Sequence, residues 1–109
     1  MPDKPVVWLS GEIKTPPFGA SARLEAGFLL RQLQQGNLLG MPESRPMPSV
    51  GPGCHELRVS EPAHEWRIVY CVAREAIVIL DVFEKKTRKT PKSVLESSKR
   101  RLRDYEKAR

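Results

Sequence analysis

The sequence holds only two cysteines, Cys54 and Cys71, separated by 17 positions and without CxxC spacing. That pattern supplies neither a disulfide framework nor a zinc knuckle, so both are expected as free thiols. His55 and His64 fall between them, but a Cys/His metal site would need the strands to gather four ligands outside the usual spacings. No metal and no cofactor is expected. Aromatic residues make up only 6% of the 109 residues, and the core of a chain this short is expected to be small. No apolar run approaches the roughly 20 residues that span a bilayer, and Met1 to Pro5 has no apolar stretch of a secretory leader. A cytoplasmic protein with no membrane partner is the expectation. At this length the chain is read as one domain, 1–109.

Acidic residues are scarce at one end. Residues 85 to 109 hold eleven Lys or Arg against three Asp or Glu, whereas residues 1 to 84 hold eight basic and ten acidic residues. The net charge of +6 therefore belongs to the C-terminal quarter. Such one-sided charge concentrates polyanions and speeds their capture, although a solvated basic helix would look the same.

Val6 to Leu9 forms a short β-prone run ended by Ser10-Gly11, and Pro16-Pro17 forbids helix immediately before them. From Ala20 to Gln35, Ala22, Ala26, Leu29, Leu30 and Leu33 recur at helical spacing, with Gly19 or Ser21 at the start and Gly36-Asn37 as the stop. Residues 40 to 53 carry four of the ten prolines and three glycines, so no regular element is expected there. That loop contains Arg45 and is longer than most connections in a compact domain. Three β-prone runs follow, His55 to Ser60, Trp66 to Ala73 and Ala76 to Phe83, joined by short polar segments suited to hairpins. The last is almost wholly apolar and is expected to be central, covered on both faces. Thr90-Pro91 reads as a helix N-cap followed by proline at the first turn. Val94, Leu95, Ser98, Leu102 and Tyr105 then make a thin apolar seam, bordered by Lys99, Arg100, Arg101, Arg103 and Lys107.

Five segments together carry a resemblance. They are Gly11 to Phe18, Ser44-Arg45-Pro46-Met47, His55-Glu56-Leu57-Arg58, Trp66-Arg67-Ile68-Val69-Tyr70, and Phe83-Glu84-Lys85-Lys86-Thr87-Arg88-Lys89-Thr90-Pro91. In this combination the chain resembles phage-derived, HigB-type members of the RelE toxin superfamily, nearly end to end. The resemblance implies an α+β fold of order β-α-(α)-β-β-β-α, with a curved antiparallel sheet and helices packed on one face. It implies a toxin of a type II toxin-antitoxin system, a ribosome-associated, metal-independent endoribonuclease that cuts mRNA and inhibits translation. It also implies a helix-turn-helix antitoxin as partner, and a homodimer is compatible with it. Arg58 and Arg67 then match strand arginines on the RNA-facing side, and Lys85 and Lys86 match the basic pair after the last strand.

The chemistry of the side chains fits those roles. An RNA 2′-hydroxyl can attack its neighbouring phosphate if one group removes its proton, another offsets the developing charge and a third protonates the leaving oxygen. Arg67, mid-strand among apolar neighbours, is the expected phosphate clamp, or else a salt-bridge partner of Asp81 or Glu56. His55 suits proton transfer by its ordinary pKa of about 6.5, and Lys86 or Lys85 suits the acid. His64 reads as a loop histidine and Tyr105 as core. Arg58, Arg45, Arg88, Lys89, Lys99, Arg100 and Arg103 are the expected RNA-binding cations. Two other classes stay open: a gyrase-inhibiting, ParE-like toxin, and a non-enzymatic nucleic-acid-binding protein of phage origin.

Overall fold

A computed structural model describes residues 3–11 and 18–108; the Pro16-Pro17 break and most of the Gly11 to Phe18 segment lie outside them. Within these residues the order is β1 (Val6–Trp8), α1 (Ala20–Gln34), β2 (Ser44–Pro46), β3 (Cys54–Glu61), β4 (His64–Val72), β5 (Ile77–Glu84) and α2 (Lys92–Ala108). The fold is α+β, and one open sheet of strand order β1-β5-β4-β3-β2 carries both helices.

Helix α1 buries the stripe its sequence spells out, Ala22, Ala26, Leu29, Leu30 and Leu33. Each buried leucine contributes on the order of 1.5–3 kcal/mol relative to staying exposed. The helix ends where Gly36 takes φ +93, a left-handed conformation that costs glycine little. The Asn37 amide then donates to the Gln32 carbonyl and the Gly36 amide to the Leu33 carbonyl, both at 3.0 Å, which satisfies two otherwise orphaned carbonyls. At the other end the Glu61 carboxylate accepts from the Gly19 amide at 3.4 Å and from the Trp66 indole at 3.0 Å. One acidic side chain thus ties the β3-β4 turn to the start of α1.

Three expectations are corrected. The sheet is mixed rather than antiparallel, because β1 runs parallel to β5 while the other pairs are antiparallel. Parallel pairing needs a long crossover, and the chain between Trp8 and Ile77, helix included, supplies it. The helices lie on opposite faces rather than on one. Ile77 and Ile79 of β5 join the cluster under α1, while Val78 and Leu80 join the cluster under α2. Adjacent strand residues point to opposite faces, so a strand apolar at every position calls for a cover on both sides. The proline-rich stretch also contains a strand, β2, paired with β3. β2 lies at the sheet edge, where only one row of backbone groups pairs and proline is tolerated. Its Ser44 hydroxyl shares a buried 2.5 Å hydrogen bond with Tyr70.

β5 is interior, with β4 at the exact middle of the order. Between β4 and β5 the register shifts at Val69/Tyr70, a bulge that places both Leu80 and Asp81 toward α2. There Asp81 meets Arg101 at 3.5 Å. α2 docks through buried Ser98 and Leu102, with Val94, Leu95 and Tyr105 half-buried beside them. Thr90 does not serve as the expected cap: its hydroxyl donates to Glu56 at 2.8 Å, and the helix begins two residues later. No helix among the described residues is long and apolar enough to cross a membrane.

Candidate nucleic-acid interface

The face of the sheet that carries α2 is only partly covered. Along β3 the residues on this side are Glu56, Arg58 and Ser60; along β4 they are Glu65 and Arg67, each opposite its β3 counterpart in the register. Beyond β5 the chain turns across this end of the sheet, with the Lys85 amide donating to the Glu65 carbonyl at 2.7 Å. The result is an open groove of about 410 Å³ lined by Arg58, Glu65, Arg67, Lys85, Lys86, Thr87 and Arg88. Arg88 also borders a neighbouring groove of about 340 Å³, where Arg45, Lys89, Thr90 and Leu95 line the wall. Strand and post-strand cations, far apart in sequence, therefore share one surface.

Arg67 is the best buried of them, with only 3% of its surface exposed. Its guanidinium donates to the Trp66 carbonyl at 2.9 Å and approaches Glu65 at 3.4 Å and Glu56 at 3.7 Å. Of the two partners expected for it, Glu56 is the one present, since Asp81 is engaged by Arg101. Glu56 is fully buried and is held from its other oxygen by Thr90. A chain of contacts, Thr90 to Glu56 to Arg67 to Glu65, therefore runs beneath the groove. An arginine flanked by two carboxylates has most of its charge answered inside the protein, so Arg67 anchors the groove floor and leaves the more exposed positive charge to its neighbours.

Those neighbours are Arg58, Lys85, Lys86 and Arg88. Lys86 is mostly exposed and lies 4.0 Å from Glu84, a distance at which a surface pair contributes little. Among the described residues lining this groove, Glu65 is the only carboxylate. Hydrogen bonding from Ser60, helped by the charge and a hydrogen bond of Arg67 and by the charge of Arg58, holds its carboxyl below the ordinary value of 4.5 against the opposing effect of burial. It is ionised at neutral pH.

His55 does not join this surface, which corrects its expected place in the site. It pairs with Tyr70 in the register and stacks on that ring at 5.4 Å, on the α1 side. His55 and Arg58 differ by an odd number of positions in one strand, and period-two alternation puts them on opposite faces. His64 is a strand residue rather than a loop histidine; it bonds Glu84 at 2.5 Å and stacks on Trp66. Lys99, Arg100 and Arg103 are exposed on the outward side of α2, and none of them lines either groove. Tyr105 is half-buried and its hydroxyl donates to Glu75.

The sequence reading missed Glu65 and Thr90 and took Glu56 only as a salt-bridge partner. Alternation along the two strands was the signal for the acids, since it places Glu56 and Glu65 on the face of Arg58 and Arg67. Nothing local marked Thr90, whose partner lies 34 residues away. No group of three or more His, Cys, Asp or Glu placed to hold a metal ion is found among the described residues. Curated proteins give no significant match to the chain. A family model described as phage-derived protein Gp49-like (DUF891) matches residues 17–103, the span that carries every strand of the groove, and the chain belongs to that family.

Proposed function

We propose that the protein is the toxin of a toxin-antitoxin pair, an endoribonuclease that cuts mRNA at the ribosome in the cytoplasm. The observation that carries this reading is the convergence of Arg58, Lys85, Lys86 and Arg88 around one ionised carboxylate on an open sheet face. Membership of a phage-derived family and the resemblance to HigB-type toxins support it. Arg58 and Lys85 grip the non-bridging oxygens of the scissile phosphate, as arginine's planar fork suits. Glu65 takes the proton of the 2′-hydroxyl as that oxygen bonds to phosphorus. Lys86 gives a proton to the departing 5′-oxygen, leaving a 2′,3′-cyclic phosphate and a 5′-hydroxyl. Arg67 is a positioning residue that holds Glu65. The protein side chains supply every proton transfer, so no metal or cofactor is required. A helix-turn-helix antitoxin encoded beside the toxin is the proposed partner.

A second reading draws on two observations: the groove contains no histidine among its described lining residues, and its central arginine is already paired. That arrangement also suits a protein that binds RNA without cutting it. Incubation with translating ribosomes, and separately with a short RNA in excess EDTA, distinguishes the two. Fragments ending in cyclic phosphate are expected. Binding without fragments selects the non-enzymatic reading, and gyrase inhibition without fragments selects the ParE-like one.

A further inference from the structure

Cys54 and Cys71 take no part in the basic groove, yet the register sets them directly opposite each other across β3 and β4. The Val72 amide donates to the Gly53 carbonyl at 3.0 Å, so this ladder bond flanks the cysteine pair instead of joining it. Opposed residues of that kind have Cα atoms about 4.5 Å apart and the closest side chains in an antiparallel ladder. A disulfide spans Cα separations of about 4.4–6.8 Å. Both side chains point toward α2, and their sulfurs lie 3.8 and 3.7 Å from the same Pro52 carbonyl. Gly53, at φ +73, makes the turn that delivers Cys54 to this position.

We propose that Cys54 and Cys71 form a dithiol modification site that hydroperoxides close to a cross-strand disulfide and small thiols reopen. The two cysteines are not equivalent. A hydrogen bond from the Cys54 thiol holds the Cys71 thiol below its ordinary range, against burial and the carboxylates of Glu106 and Glu75. The same bond, with burial, pushes Cys54 upward. Cys71 also borders a groove of about 410 Å³ between the end of β4 and α2, which gives a small peroxide its approach.

Cys71 is therefore the attacking sulfur. Its thiolate bonds to one peroxide oxygen as the O–O bond breaks, and the other oxygen leaves as an alcohol or water after taking a proton. Cys54 then attacks the resulting sulfenic acid; the S–S bond forms, the S–O bond breaks, and the hydroxyl departs as water with the proton of Cys54. Two thiols lose two electrons in total and the peroxide gains them. The closed loop contains the whole β3-β4 ribbon, including Arg58 and Arg67, and braces it at the end opposite its turn. A small thiol reopens the bond by thiolate attack on one sulfur, giving a mixed disulfide that a second thiol resolves.

The test is intact-mass measurement of the reduced, folded wild-type protein after hydrogen peroxide, followed by a non-reducing peptide map. The expected product has lost two hydrogens, carries a Cys54–Cys71 linked peptide pair, and returns to its starting mass with glutathione. In C54S, which cannot close the bond, dimedone is expected to trap a sulfenic acid at Cys71. Oxygen addition without linkage in the wild-type protein, linkage only between molecules, or persistence of both thiols when peroxide oxidises the unfolded chain would each overturn the proposal. These readouts use the wild-type chain, so a misfolded variant does not obscure the answer.

Discussion

The two faces of the sheet contrast in what covers them. Under α1, Phe18, Leu57, Val59, Ile68, Tyr70, Ile77 and Ile79 form a continuous apolar layer. Tyr70 meets Ser44 within this layer, whereas the buried Nδ1 of His55 has no hydrogen-bond partner among the described residues. On the other face α2 covers Val69, Cys71, Val78 and Leu80, and beyond that footprint the same face carries the buried Glu56 and Arg67 and the more exposed Arg58, Glu65 and Lys85. A single strand therefore carries both the core and the candidate site. β4 buries Ile68 on one side and Arg67 on the other, and the adjacent residues serve opposite ends.

The largest expected effect of breaking that contrast is at Arg67. Arg67→Ala strands the buried Glu56 without its cation, and loss of one partner of a buried pair costs about 3–5 kcal/mol. Denaturant unfolding checks this, and a midpoint equal to the parent's would show the charge pair to be unimportant for folding. Arg58→Ala, on the same face but half-exposed, is expected to lower the RNA cleavage rate about a hundredfold, by analogy with loss of one preorganised donor. Its unfolding midpoint should stay close to the parent's. Parental cleavage in a folded Arg58→Ala protein would remove Arg58 from the phosphate contacts.

Smaller effects sharpen the comparison further. Thr90→Val removes the donor to Glu56 and is expected to cost about 1.5–3 kcal/mol, the usual range for a hydrogen bond to a charged group. Thermal unfolding measures it. The pH dependence of cleavage reports on Glu65. Because its carboxyl is held below 4.5, the base form is present above that ordinary value and is lost only as pH falls through the depressed one. The acid limb should therefore lie below 4.5, and move up toward it in Ser60→Ala, which lacks the main stabilising hydrogen bond. The smallest change is expected from replacing Lys99, Arg100 and Arg103 together with glutamine. These residues stand outside both grooves, so cleavage of a short RNA should change less than about threefold while the salt dependence of ribosome association flattens modestly. A collapse in short-RNA cleavage would extend the interface onto α2.

Local pattern determined much of this protein. The helical stripe from Ala22 to Leu33 can bury its leucines in only one way, and the Gly36-Asn37 stop follows from backbone freedom at one residue. The three β-prone runs, the apolar β5 and the thin seam of α2 were legible for the same reason: each depends on periodicity within one segment. The local surplus of Lys and Arg after residue 84 likewise marked the charged end of the molecule.

Tertiary structure decided what depends on partners distant in sequence. β1 joins β5 in parallel because α1 carries the chain across the sheet, and the proline-rich stretch yields β2 because β3 offers it an edge. Which face a strand residue occupies is set by register, and that moved His55 away from Arg58. It also set Arg67, expected as a phosphate clamp or as a salt-bridge partner of Asp81 or Glu56, between Glu56 and Glu65. Charge in the sequence located the basic quarter, but only packing determined which of those cations share a groove, because α2 turns Lys99, Arg100 and Arg103 outward while residues 85 to 89 cross the open sheet.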